Sequence, residues 1–157
     1  MSYPSDNQTV FSSIDISHYF FKLRDQSYDN VSISNLKLQK LLYYAHGLHL
    51  AVTEYPLLNE QLEAWKLGPV SPSSYRNFNY NGSLNIKVIE HFDESILSDV
   101  AKQVTEAVWE QLGGKSARYL MTKTHAEKPW KESKLGEKID DGIMKDFFKS
   151  QFLKNTK

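Results

Sequence analysis

The 157-residue sequence contains no cysteine. Disulfides, thiol nucleophiles and cysteine-ligated zinc are thereby excluded, and a reducing compartment suits the chain. No apolar run approaches the roughly 20 residues a membrane-spanning helix needs, and the opening "MSYPSDNQTVFSSID" lacks the basic and apolar regions of a secretory signal. A soluble cytoplasmic protein is the expectation. Excess charge is missing too: 19 Lys and Arg balance 19 Asp and Glu, so nothing global draws the chain to phosphate backbones or anionic lipid. Glycine is sparse, and the one glycine in "GPVSP" cannot offer the successive backbone N–H groups of a phosphate-binding loop.

The charge balance conceals a gradient. Residues 1–114 carry 8 basic against 13 acidic side chains, whereas residues 115–157 carry 11 against 6. The best-defined helices are nevertheless too acidic or too apolar to act as a DNA-reading helix, and no direct nucleic-acid binding is expected.

With 40% hydrophobic and 13% aromatic residues, the chain has material for one core. Residues 1–14 read as a flexible lead-in, 15–153 as one domain and 154–157 as a tail. The spacing predicts a mainly α fold of five to six helices around a central apolar helix, with at most a small β-ribbon. A first helix runs from Ile16 to about Ser27, capped by Asp15. Ser34 or Asn35 opens the central helix, "LKLQKLLYYAHGLHLAV". On a helical wheel Leu38, Leu41, Leu42, Ala45, Leu48, His49 and Val52 form its core arc. Tyr43, Tyr44, Gly47, Leu50 and Ala51 make a second apolar face, to be met by the rest of the chain or by another protein.

Residues 62–67 read as a strand or connector whose ribbon partner is "NIKVIEHF", because isoleucine and valine alternate there. Ser71 before Pro72 starts a short helix. Helical spacing from Asp93 stops at Gly113-Gly114, Ser116 caps a helix reaching His125, and a last helix over 141–153 presents Ile143, Met144, Phe147, Phe148 and Phe152.

Few chemical motifs emerge. His46 and His49 have a spacing that can present two ligands to one metal, with His125 or Glu63 as a third, but no acid stands at the neighbouring helical positions to complete the shell. A metal-dependent hydrolase is the enzymatic alternative. Thr124, His125 and Glu127 contain nucleophile, base and acid types, yet consecutive helical residues point apart. Trp65 and Trp130 are core anchors if buried and binding hot spots if exposed.

Three blocks, "ISNLKLQKLLYYAHGLHLA", "LEAWKLGPVSPSSYRNF" and "ARYLMTKTHAEKPWKES", together resemble the signature of the SocA-like, or Panacea, antitoxin domain, also known as a phage-associated protein family. The resemblance spans about Ile33 to Phe148. It implies a mostly helical antitoxin, without enzymatic activity or cofactor, that neutralises a cognate toxin by binding it; many such toxins resemble small alarmone synthetases. A protein-binding adaptor that delivers its partner to a protease, or a phage or mobile-element factor without a toxin, is the other function of such a domain. The matching positions are Leu38, Gln39, Lys40, Leu41, Tyr43 and Tyr44, then Ala64, Trp65, Gly68, Pro69 and Val70, then Thr124, His125, Pro129 and Trp130. Most are expected to determine the fold, and toxin contacts are expected at Lys40, Tyr44, Trp65, Tyr75 and His125.

Overall fold

A computed structural model describes residues 6–27, 29–82, 84–88 and 90–155. Its α-helices are α1 (Ser13–Asp25), α2 (Asn35–Thr53), α3 (Pro72–Phe78), α4 (Asp99–Leu112), α5 (Ala117–His125), α6 (Lys128–Lys131) and α7 (Asp141–Asn155), joined by the two-stranded ribbon β1 (Glu63–Trp65) and β2 (Gly68–Val70). The mainly α fold with a small ribbon is as the spacing predicts. No helix among the described residues is long and apolar enough to cross a membrane.

The helix starts follow from hydroxyl caps. Ser34, Ser98 and Ser116 each accept a backbone N–H of the first turn, opening α2, α4 and α5. The start of α1 lies earlier than expected, because Ser12 rather than Asp15 is the cap and accepts the Asp15 N–H at 3.0 Å. Phe11, just before it, exchanges backbone bonds with Leu57 and Asn59 and is buried. Ser71 precedes α3 but makes no capping bond; its hydroxyl goes to Glu60, which also takes those of Ser13 and Ser73.

The ribbon is local. Trp65 pairs with Gly68 and Glu63 with Val70 across the two-residue turn Lys66–Leu67, while residues 85–88 form no strand and Ile86 instead donates its N–H to the Ile33 carbonyl. The alternation at 85–92 therefore does not mark a ribbon partner. The turn demands glycine: Gly68 sits at φ +115, and a Cβ there would lie 2.6 Å from Lys40 Cε and 2.9 Å from Thr124 Oγ1.

Helix α2 is the axis on which α4, α5 and α7 pack. Its second apolar face is met by the chain itself, since Tyr43 and Tyr44 are buried and Phe148 of α7 lies directly over Gly47. The expected core arc is only partly covered: Leu38, Leu41, Leu42 and Ala45 are fully buried, Leu48 is half-buried, and Val52 is 52% exposed. On α7, Met144 and Phe148 are buried and Phe147 half-buried; the Phe152 side chain lies outside the described residues.

Candidate partner-binding site

The three sequence blocks converge on one side of α2. Gln39 accepts the Ser71 N–H at 2.9 Å, which fixes the residue after the ribbon, and Lys40 donates to the Pro69 carbonyl at 3.0 Å. Tyr43 and Tyr44 each donate a hydroxyl to Glu127 Oε1 at 3.0 Å, tying α2 to the segment after α5. Trp130 Nε1 donates to the Trp65 carbonyl at 2.8 Å, tying α6 to the ribbon. Leu38, Leu41 and Ala64 are fully buried, and Val70, Thr124 and Pro129 are buried beside them. These positions hold the fold.

Lys40 is the most unusual member of this scaffold. It is 0% exposed, and among the described residues no carboxylate pairs with it. Burial alone lowers its pKa from 10.5 to about 7. Between those values the unfolded chain binds a proton that the folded chain does not, so the folded state gains stability as pH rises through that window. Wild type should therefore gain on Lys40→Met by about 1.4 kcal/mol per pH unit across the window. Urea unfolding of both proteins at pH 6.5, 8 and 9.5 reads the slope; a pH-independent difference would contradict a buried, proton-shedding lysine.

Beside the buried scaffold, two pairs of aromatic rings form a partly exposed ledge. Trp65 meets Tyr75 edge-to-face at 4.9 Å between centroids, and His125 stacks on Trp130 at 4.1 Å. The Trp65–Trp130 hydrogen bond joins the two pairs. Leu67, at the tip of the ribbon turn, is 50% exposed, and Lys66, Arg76, Lys128 and Lys131 are exposed on the same elements. Three of the five expected contact residues, Trp65, Tyr75 and His125, thus stand on one surface. Lys40 and Tyr44 are buried behind it, with Tyr44 lining a cleft on the other side of α2.

The histidines do not converge. His46 donates from Nε2 to Asp141 of α7 at 2.9 Å and accepts the Leu58 N–H at Nδ1. His49 donates from Nδ1 to the Tyr55 carbonyl at 2.6 Å, and its pKa is lowered chiefly by burial. Among the described residues no group of three His, Cys, Asp or Glu is placed to hold a metal ion, so the metal-hydrolase alternative gains nothing from the fold. Thr124 donates to the Met121 carbonyl, His125 lies on Trp130, and Glu127 is taken by the two tyrosines and by Lys123 at 2.9 Å. They are three separate structural contacts, not a nucleophilic triad.

Sequence reasoning missed two features here. Glu127 was visible only as a triad acid, one of two glutamates in the third block; its tyrosine partners stand 84 and 83 residues earlier. Leu67 carried no signal beyond its place in a turn.

Comparison with known proteins gives a consistent result. The family described as antitoxin SocA-like, Panacea domain, matches residues 38–131. Antitoxin SocA of Caulobacter vibrioides is 37% identical over 142 residues, covering 78% of this chain and 75% of that protein. No solved structure matches.

Proposed function

Since the chain belongs to the SocA-like antitoxin family, that of the Panacea domain, we propose that it neutralises a cognate toxin by binding it as a protein, through the aromatic ledge. The observation that carries this reading is the partial exposure of Trp65, Tyr75, His125 and Trp130 on neighbouring elements, when the blocks around them are buried scaffold. Aromatic rings with polar tips supply large contact area at low entropic cost, and tryptophan and tyrosine dominate interface hot spots. Leu67 at the turn tip adds an apolar knob, and the surrounding lysines and Arg76 provide a polar rim. Neutralisation then needs no catalytic group in this chain, because a bound protein of this size can cover a toxin's active site or substrate path.

The test is growth of cells expressing the reading frame adjacent to this one, with and without this chain from a separate promoter. Wild type should relieve toxicity. Trp65→Ala and the turn-tip variant Leu67→Glu, each with native circular dichroism, should lose protection, with binding weakened by about 30-fold or more for the tryptophan. Full protection by both folded variants would remove the ledge as the contact surface.

A further inference from the structure

A second surface, sharing no residue with the ledge, lies where the core arc of α2 is left uncovered. Helices α4 and α7 both pack on α2 but do not close over it, leaving a cleft of about 300 Å³. Tyr44 and Leu48 form its floor, Ala107 and Leu112 of α4 one wall, and Phe147 of α7 the other. Val52, one helical turn beyond Leu48 on α2, is 52% exposed. From Tyr44 to Val52 is about 12 Å along the helix, room for two to three turns of a docked helix. The polar groups at the rim, Gln111 and Gln151, are uncharged.

Among the described residues that line the cleft, charge appears only at one end. There Lys123 lines both this cleft and the neighbouring hollow on α5, beside Tyr119, which is 48% exposed, and Arg118. Lys115 lies over the Tyr119 ring at 5.1 Å. Lys115 and Arg118 are exposed and have no ion-pair partner among the described residues. Among the described residues lining the cleft the one carboxylate, Glu127, pairs with Lys123 at 2.9 Å and accepts two tyrosine hydroxyls, so the uncompensated positive charge at this end is that of Lys115 and Arg118.

We infer that the cleft between α4 and α7 is a docking groove for an amphipathic helix of a partner protein, whose apolar face lies along Leu48 and Val52 and whose acidic residues meet Lys115 and Arg118. Helix-in-groove recognition has this form, with apolar anchors giving affinity and the charged end setting direction. The groove's uncharged walls exclude a partner charged along its length. The antitoxin reading does not depend on it.

The probe is a fluorescein-labelled synthetic helix of about 18 residues, with leucines along one face and glutamates in one terminal turn, titrated against the full chain by anisotropy. A counterpart carries lysines in place of the glutamates. Saturable binding of the acidic peptide is expected, with the lysine peptide weaker by about tenfold. Gln111→Glu, a surface change of one functional group, should weaken the acidic peptide by about threefold, and Ala107→Glu by about tenfold or more. Equal binding of the two peptides, or binding untouched by either folded variant, would overturn the proposal. So would no peptide binding together with a dimer in solution that Ala107→Glu dissociates, which would give the groove to a second copy of this chain. Absence of both binding and dimerisation would overturn it as well.

Discussion

Glu127→Ala is expected to cost about 3–5 kcal/mol of folding stability. The carboxylate is buried at the junction of α2 and α5, where one oxygen accepts both tyrosine hydroxyls and the other accepts Lys123. Truncation leaves two phenolic O–H groups in the core without an acceptor, and an unsatisfied buried donor costs about 1–3 kcal/mol each. The tyrosines cannot escape by ionising, because burial, the largest cause, holds both hydroxyl pKa values far up without the Glu127 charge. Their alternative in the variant is to break packing against each other and Phe148, with which both rings are in edge contact. Glu127→Gln retains an acceptor and should lose about half as much. Urea unfolding with an unchanged m-value measures both; a loss under about 1 kcal/mol for the alanine variant would show that water replaces the carboxylate.

The second large effect is expected from Gly47→Ala, where two rules oppose each other. Helix propensity alone favours alanine in the middle of α2 by about 1 kcal/mol. Packing opposes it, since the new Cβ would lie 2.1 Å from Phe148 Cε2 and 2.4 Å from its Cζ. Phe148 cannot swing aside freely, being held between Tyr43, Tyr44 and Phe147. Overpacking should win, with a net destabilisation of about 2–3 kcal/mol. The cycle with Phe148→Leu isolates the cause: the double variant should recover at least about 1 kcal/mol relative to additivity. A stabilised Gly47→Ala protein would mean that α7 does not press on α2 at this point.

These two positions also show where the sequence was informative. The helices were legible because their signals are local: apolar spacing, serine hydroxyls at Ser34 and Ser116, and the Gly113-Gly114 stop all act within one or two turns, although α4 begins at Asp99 behind the Ser98 cap rather than at Asp93. Which side of α2 would be covered was not legible. Its tyrosine face is buried because Glu127 and Phe148 arrive from more than 80 residues away, whereas Val52 near its C-terminal end stays 52% exposed. His46 gives the same lesson, as the acid absent from its own helix is supplied by Asp141 of α7. The ribbon was misassigned because β-branched alternation at 85–92 is a statement about side-chain pattern, whereas the pairing is set by the backbone freedom of Gly68. For the site, the motif residues were found from the sequence, but their division into buried scaffold and exposed ledge required the fold.

The most direct measurement is the affinity of the purified toxin, identified by the growth assay, for wild type and for a Trp65→Ala, Tyr75→Ala double variant, by titration calorimetry. A stoichiometric complex with wild type, weakened by about 100-fold or more in a double variant whose circular dichroism and urea midpoint stay near native, is the predicted result. Equal affinity of the two proteins would contradict neutralisation through the aromatic ledge.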